Sequence, residues 1–364
     1  MNRRVVRGRG AVANPGNRFD GIDYLPDPEA LQAQADAGEA PERPRTELLH
    51  DRSRSIISYN DSPDVNFDAS INPYRGCEHG CAYCFARPTH EYLGMSAGLD
   101  FETRILVKEQ APELLRRELT RPGWRPQTLG LSGVTDPYQP VERRLRLTRG
   151  CLEVLCEARN PVMVITKNYL VTRDVDLLGE LARQGLAAVC VSLPTIDAAL
   201  SRVLEPRTSQ PQRRLDAVGR LAEAGIPVIA LVAPVIPGLT DHEIPDVVAA
   251  ASRAGATHAG YVTLRLPLAV APLFSAWLEE HRPNQARKVL ERVRSLRGGA
   301  LNEAAFGSRM RGQGPFAKLI EQLFAGACRR HGVNAGRLRL RTDLFRRPRA
   351  DTAQLSLFEE GNAP

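Results

Sequence analysis

The sequence contains no apolar run that approaches the ~20 residues needed to cross a membrane as a helix. Its basic N-terminus, from Met1 to Arg9, is not followed by the apolar segment of a secretion signal. The cysteines number seven, an odd count in a long chain, which disfavours the disulfide framework of small secreted domains. We therefore expect a cytoplasmic protein that has no membrane partner.

Lysine is also scarce, with 4 lysines against 45 arginines and a formal net charge of +7. Such a skew partly reflects genome composition, so the position of the arginines is more informative than their number. One segment, which we call the basic strip, holds six arginines and a single acid, Asp343: Arg337, Arg339, Arg341, Arg346, Arg347 and Arg349. A segment of this kind is either a solvated face or a binding site for phosphates, so a DNA partner is permitted.

Three cysteines, Cys77, Cys81 and Cys84, are spaced C-x3-C-x2-C. They could form part of a zinc site with His79 or His90, but structural zinc sites usually combine two pairs of ligands and no second pair follows. The spacing suits a cubic 4Fe–4S cluster, in which three thiolates hold three irons and the fourth iron stays open. An open iron is a place where a small molecule can bind and accept an electron.

This spacing, with the aromatic Tyr83 just before the third cysteine, resembles the signature of radical S-adenosylmethionine (SAM) enzymes. The resemblance implies a 4Fe–4S cluster on the three cysteines and SAM bound to its open iron. It also implies reductive cleavage of SAM to a 5′-deoxyadenosyl radical, with Tyr83 as a candidate catalytic residue and flavodoxin or ferredoxin as a typical electron donor. A non-enzymatic iron–sulfur or zinc module is the rival interpretation.

Short apolar runs alternate with amphipathic segments, which predicts βαβ units and a parallel sheet. Six strands are expected, at residues 69–74, 128–134, 161–166, 187–193, 226–235 and 258–264. Six such units form a partial (β/α)6 TIM-like barrel of the α/β class, and its chemistry gathers at the C-terminal ends of the strands. The predicted domains are a disordered leader (1–52), the barrel (53–268), a helical extension (269–345) and a flexible tail (346–364).

Polar residues follow three of these strands. The second strand leads into a run from Thr135 to Glu142 (Thr-Asp-Pro-Tyr-Gln-Pro-Val-Glu), which resembles a subfamily related to spore photoproduct lyase, an enzyme that repairs a thymine dimer in DNA. This resemblance implies that Thr135 and Asp136 bind SAM, that Lys167 lies near its carboxylate and that the hydroxyl of Ser192 binds it. The favoured substrate is therefore a DNA lesion.

The chain departs from the lyase at two positions. The lyase has a hydrogen-donating cysteine after its second strand, where this chain has Ser132, Gly133 and Val134, and a tyrosine where this chain has Phe85. Because a phenylalanine cannot relay a hydrogen atom as a phenol can, the substrate radical is expected to end differently. Four other thiols could act instead, although each is better explained as a buried structural residue: Cys151, Cys156, Cys190 and Cys328. Modification of RNA, a protein or a small molecule is the alternative.

The C-terminal tail contains an apolar pair in a polar context, in the pentapeptide Gln354, Leu355, Ser356, Leu357 and Phe358. Leucine and phenylalanine in a loose tail are typical of a short peptide ligand that fills pockets on a partner. The pentapeptide resembles the binding motif for the bacterial sliding clamp, which implies recruitment to DNA. The alternative is a segment that folds back on the barrel.

Overall fold

The computed structural model describes residues 8–11, 14–20 and 44–348. Its main sheet has seven strands in the order β10-β9-β8-β7-β6-β3-β2, and a second sheet has the order β1-β5-β4. The strands are β1 (Glu47–His50), β2 (Ile57–Tyr59), β3 (Ala69–Ile71), β4 (Tyr74–Arg75), β5 (Arg104–Val107), β6 (Leu129–Leu131), β7 (Val162–Thr166), β8 (Ala187–Ser192), β9 (Val228–Val235) and β10 (His258–Thr263).

The six expected strands are confirmed as β3 and β6–β10, and all of their pairings are parallel. β2 adds an antiparallel strand at one edge. The two edge strands of the main sheet, β2 and β10, do not pair with each other, so the barrel is open. The partial-barrel prediction is therefore confirmed, with one additional strand.

Helices cover the convex side of the sheet. They are α1 (Leu99–Thr103), α2 (Ala111–Thr120), α3 (Glu142–Leu145), α4 (Leu147–Ala158), α5 (Val175–Arg183), α6 (Ala198–Leu204), α7 (Pro211–Glu223), α8 (Ile244–Arg253), α9 (Val270–His281), α10 (Pro283–Leu296), α11 (Ser308–Arg311) and α12 (Gly314–Arg330). Three 3-10 helices occupy Arg87–Leu93, Tyr169–Asp174 and Asp241–Glu243. Within the described ranges, none of the helices is both long and apolar enough to span a bilayer.

Side chains alternate between the two sides of the sheet, as the pleat of a strand requires. In β7, Val162 and Val164 are fully buried in the core beneath the helices, whereas Met163 and Ile165 are half-buried on the other, concave side. The ring of Phe67 fills part of that concave side, because a Cβ atom on Gly130 of β6 would come within 2.7 Å of it. The concave side is therefore the place where a bound molecule can contact the barrel.

The chain after α12 runs beneath the barrel. The backbone N–H groups of Asn334, Arg341 and Arg346 donate to carbonyls that precede β10, β8 and β7 respectively. Five arginines of the basic strip are exposed along this path, and Arg349 lies outside the described residues. The basic strip thus follows the N-terminal edge of the sheet, whereas the loops after the strands lie at the opposite edge.

Part of the expected disordered leader is ordered. β1 pairs in parallel with β5, and the N–H groups of Gly10 and Ala11 donate to the carboxylate of Glu102 at 3.0 and 2.7 Å. The approach is close, since a Cβ atom on Gly10 would lie 1.7 Å from the carbonyl oxygen of Gly80. The composition of the leader is that of a loose segment, but a buried carboxylate far along the chain satisfies its backbone donors.

Candidate active site

The three cysteines lie in the loop between β4 and the 3-10 helix Arg87–Leu93, which we call the cysteine loop. Its backbone is irregular and is held by distant carbonyls: Cys77 N–H donates to Phe101 at 2.8 Å, and Ala82 N–H donates to Leu204 at 3.0 Å. The loop follows the first strand of the barrel, as predicted, and lies at the C-terminal edge of the sheet. This is the edge where parallel α/β barrels place their chemistry.

A buried ion pair supports the cysteine loop from below. Arg87 donates to the carbonyl oxygen of Cys81 through Nε at 3.1 Å and Nη2 at 2.9 Å, and its guanidinium also binds the carboxylate of Glu102. Both side chains are completely buried. Because Glu102 also binds the segment around Gly10, the pair connects the N-terminal segment to the loop.

The donor set of the loop fits an iron–sulfur cluster. The thiols of Cys77, Cys81 and Cys84 are free. Burial and then the charge of Glu205 raise the pKa of Cys81, and Cys84 and Cys77 are close enough to raise it further. Within the described part of the chain, no three His, Cys, Asp or Glu side chains are placed to bind one metal ion. A cubic cluster does not need that arrangement, because each thiolate binds a different iron.

The run from Thr135 to Glu142 holds the cysteine loop in place. The side-chain amide of Gln139 accepts from Glu78 N–H at 2.9 Å and donates to the Gly76 carbonyl at 3.2 Å, so it binds the backbone on both sides of Cys77. The carboxylate of Glu78 accepts from Val141 N–H at 2.7 Å in return. The positions of Gln139 and Val141 within this run are therefore explained by their hydrogen bonds to the cysteine loop.

Asp136 joins three parts of the site. It accepts from the hydroxyl of Thr166 and from Lys167 N–H, both at 2.7 Å, and lies 3.3 Å from Nδ1 of His79. Although burial favours the protonated form, the charge and hydrogen bond of His79 lower the pKa of Asp136. Burial likewise opposes the charged form of His79, but Asp136 and Cys77 raise its pKa to about 10. Asp136 thus positions the end of β7 against the cysteine loop.

Thr135 is also occupied within the protein, since its hydroxyl donates to the carbonyl of Tyr74 at 3.0 Å. Next to it, the N–H groups of Gly133 and Val134 donate to the side-chain oxygen of Asn72 at 3.0 and 3.1 Å. The side chains of Thr135 and Asp136 therefore hold loops together, and their contact with SAM stays a prediction.

Lys167 has no carboxylate within ion-pair distance among the described residues, although its charge helps to lower the pKa of the buried Glu205. Its ammonium group lies 6.0 Å from the centre of the Tyr83 ring, and its charge acts on the thiols of Cys81 and Cys84. Ser192, at the end of β8, is buried beside this region and uses its carbonyl, not its hydroxyl, to bind Arg214. Both side chains remain available for a bound molecule next to the cysteine loop.

The sequence analysis missed the partner of Tyr83. The phenol of Tyr83 donates to the carboxylate of Glu205, which also binds the guanidinium of Arg214 and lies 3.8 Å from the sulfur of Cys81. All of these side chains are buried, and burial, followed by the charge of Glu205, raises the pKa of Tyr83 well above its usual value. In the sequence, only the polar stretch Glu205-Pro206-Arg207-Thr208 after α6 could have indicated that Glu205 binds Tyr83.

The four remaining cysteines lie away from the loop or beneath it. Cys151 and Cys156 are on α4 and Cys328 is on α12, at the convex side of the sheet. Cys190 lies within β8, buried two residues before its C-terminal end, and burial raises its pKa to about 12. Cys151, Cys190 and Cys328 are buried and Cys156 is partly buried against the core, as expected for structural cysteines.

We expect Lys167→Met to weaken SAM binding roughly 10- to 100-fold, the range for loss of a charged hydrogen bond. The physical reason is that the SAM carboxylate would lose the positive charge that Lys167 supplies beside the cysteine loop. Equilibrium dialysis with radiolabelled SAM on the reconstituted protein measures the affinity. Lys288→Met, at an exposed position of α10, is the matched control, and equal affinities in the two variants would contradict the assignment.

Comparison with known families and structures agrees with this geometry. Residues 71–251 match the family model for the radical SAM superfamily. An uncharacterized protein of Mycobacterium tuberculosis is 39% identical over 230 residues, which cover 63% of this chain and 68% of that protein. A radical SAM Nalpha-GlyT isomerase of Pseudomonas phage M6 is 28% identical over 173 residues, which cover 47% of this chain and 34% of that protein.

The fold is similar to that of solved structures of spore photoproduct lyase. A double mutant of that enzyme, with bound AdoMet and dinucleoside spore photoproduct, superimposes with a TM-score of 0.56. The match covers 79% of this chain and 80% of the lyase, at 16% sequence identity. At this identity the similarity describes the fold alone.

Proposed function

The chain belongs to the radical SAM superfamily, and we propose that it acts on a damaged base in DNA. Radical SAM enzymes use two cofactors, a 4Fe–4S cluster and SAM. Cys77, Cys81 and Cys84 would hold the cluster. When bound, the cluster supplies the electron that cleaves SAM to a 5′-deoxyadenosyl radical. The observation that carries the SAM-dependent chemistry in this proposal is the position of the Lys167 ammonium beside the cysteine loop.

The residues of the chain bind and orient SAM in this proposal. Lys167 binds the carboxylate of SAM, and the hydroxyl of Ser192 at the end of β8 donates a hydrogen bond to SAM. Asp136 accepts from the backbone N–H of Lys167 and so holds that residue in place. Tyr83 is held by Glu205 at the edge of the same space. Asp136 and Tyr83 are preorganised by buried hydrogen bonds, which limits the entropy that SAM binding must overcome.

Two observations support a DNA lesion as the substrate. The fold is similar to that of a lyase solved with a dinucleoside lesion, and the run from Thr135 to Glu142 resembles the lyase subfamily. The structure accounts for that run by its hold on the cysteine loop, so the run supports SAM chemistry more than a particular substrate.

The test of the proposed function is anaerobic incubation of the reconstituted protein with SAM, dithionite and ultraviolet-irradiated DNA. We expect formation of 5′-deoxyadenosine together with loss of a photolesion, both measured by mass spectrometry. Undamaged DNA and RNA of the same sequence are the controls. Formation of 5′-deoxyadenosine with no lesion consumed would overturn the DNA-repair part and leave the enzyme class intact.

A second candidate is modification of RNA, a protein or a small molecule. It is favoured by Ser132, Gly133, Val134 and Phe85, which provide no hydrogen donor where the lyase has a cysteine and a tyrosine. The other four cysteines lie on α4, on α12 and within β8, and none of them is in the segment after β6 or directly after Cys84. In the same assay this candidate predicts that 5′-deoxyadenosine increases with an undamaged partner molecule.

Recruitment to DNA through the sliding clamp is a separate proposal. The pentapeptide from Gln354 to Phe358 lies outside the described residues, and its support is its resemblance to the clamp-binding motif. Deleting it is expected to abolish capture of the protein by immobilised sliding clamp, because the leucine and phenylalanine pockets would be empty. Deletion of the preceding five residues is the control, and equal capture of both truncated proteins would refute the proposal.

A further inference from the structure

We propose that Arg265 and Phe85 form a substrate subsite at the mouth of the barrel, in which Arg265 binds a nucleic-acid phosphate and Phe85 stacks on a base. The inference rests on the proposed function, since it names the residues that would receive a nucleotide. Neither residue was singled out as a binding residue by the sequence analysis. Phe85 directly follows the third cluster cysteine, and Arg265 is the second residue after the last strand of the barrel.

The direction of Arg265 follows from its neighbours. Leu264 and Leu266 are both buried in the core cluster that contains Cys81 and Tyr83. Side chains alternate in an extended segment, so Arg265 points away from that core. Its guanidinium lies 5.7 Å from the centre of the Phe85 ring. A cation is therefore placed beside the cysteine loop on the open side of the barrel.

Arg265 has almost no acceptors of its own. Its Nε is buried and has no hydrogen-bond partner among the described residues, and Nη1 contacts only the thioether sulfur of Met310 at 3.7 Å. A buried guanidinium donor without an acceptor is costly, and arginines of this kind usually carry a ligand or a partner. A phosphate oxygen would supply the missing acceptors with the geometry that a guanidinium prefers.

The surrounding charges leave the site positive. Arg297 is buried and donates to the carbonyls of Thr263, Leu264, Ser308 and Arg309. Among the described residues it makes no hydrogen bond to a carboxylate, although the charge of Glu303 acts on it. Burial, followed by the charge of Arg265, lowers the pKa of Arg297 to about 10.

The nearby carboxylate of Asp64 is already occupied, because it accepts from Gly307 N–H at 2.7 Å and pairs with Arg309. An anionic ligand would thus offset positive charge that the described residues around Arg265 leave without an ion-pair partner.

Phe85 supplies the second half of the subsite. Phe85 is 52% exposed, whereas the next residue, Ala86, is buried where the following 3-10 helix begins. An exposed aromatic ring next to a free guanidinium is the pair of groups that binds single-stranded or flipped-out nucleotides, through stacking and phosphate contact. An acidic peptide would use the arginine but has no use for the ring, so a nucleotide is favoured.

The test measures binding of a short fluorescein-labelled single-stranded DNA to the reconstituted full-length protein with SAM, by fluorescence anisotropy at several salt concentrations. Arg265→Gln is expected to weaken binding about 10-fold and to reduce the slope of log affinity against log salt by about 0.7, the value for one lost phosphate contact. Phe85→Leu is expected to weaken binding by about 5-fold or more without changing that slope.

Three further variants complete the design. Arg287→Gln, at an exposed position of α10, is the matched control and is expected to bind as the wild type does. Arg265→Lys, which keeps the charge, is expected to restore the salt slope and part of the affinity, and it serves if Arg265→Gln does not fold. Arg337→Gln tests the basic strip at the opposite edge of the sheet.

The outcomes separate this inference from the proposed function. Wild-type protein that binds no DNA would refute the substrate class and this subsite with it. Wild-type protein that binds DNA while Arg265→Gln and Phe85→Leu bind equally well would overturn the subsite alone. Loss of binding in Arg337→Gln only, or stronger capture of an acidic peptide than of DNA, would also overturn it.

Discussion

Replacing Cys84 with alanine is expected to abolish formation of 5′-deoxyadenosine. Three thiolates must hold three irons of the cluster, and no fourth cysteine in the described residues lies where it could replace the missing one. The variant protein should also lose the visible absorbance of the cluster and at least one equivalent of bound iron. Anaerobic reconstitution, an iron assay and product analysis measure all three changes on one sample.

The control for this variant is Cys328→Ala, which removes a buried thiol on α12 away from the cysteine loop. It is expected to bind iron and to cleave SAM as the wild type does. A Cys84→Ala protein that still forms 5′-deoxyadenosine at the wild-type rate would contradict the assignment of the three ligands. Loss of iron in both variants would point to general destabilisation.

Replacing Arg214 with methionine is expected to destabilise the fold strongly. Arg214 and Glu205 form a fully buried ion pair, so the substitution leaves a buried carboxylate without its counter-charge. Breaking such a pair from one side costs about 3–5 kcal/mol. The thermal midpoint should therefore fall by roughly 5–10 °C in scanning calorimetry.

Two further variants identify the cause. Arg213→Met removes the neighbouring, solvent-exposed arginine and is expected to shift the midpoint little, because exposed ion pairs contribute about 0–1 kcal/mol. Arg214→Met combined with Glu205→Gln removes both charges and is expected to regain part of the loss. A double variant as unstable as Arg214→Met would show that packing, not the unpaired charge, dominates.

The resemblance and the periodicity predicted much of the fold. Strands β7 to β10 were predicted within two residues at each end, because they are short and rich in aliphatic and β-branched residues and alternate with amphipathic helices. The N-terminal segment and the antiparallel strand β2 were not predicted. Both depend on partners that are distant in sequence, such as Glu102 for Gly10 and β3 for β2.

In the candidate site, too, some residues could be recognised from the sequence and others could not. Cys77, Cys81 and Cys84 could be recognised because a cluster needs fixed ligands at fixed spacing in one short loop. Lys167 was named because it follows an apolar strand and matches a lysine of the lyase-like proteins, and its contact with SAM stays a prediction. Glu205 and Arg265 could not be recognised, since each acquires its importance from a neighbour that is far away along the chain, Tyr83 and Phe85 respectively.

The sequence by itself determined the chemistry with which the reaction starts: three cysteines at the spacing of an open-iron cluster, followed by strands that build a barrel around it. The tertiary structure decided which charges face that cluster. It placed the basic strip at the far edge of the sheet and brought Arg265 to the mouth of the barrel. The physical reason is that ligand spacing is a local property of the chain, whereas the charge around a site depends on which distant segments the fold brings together.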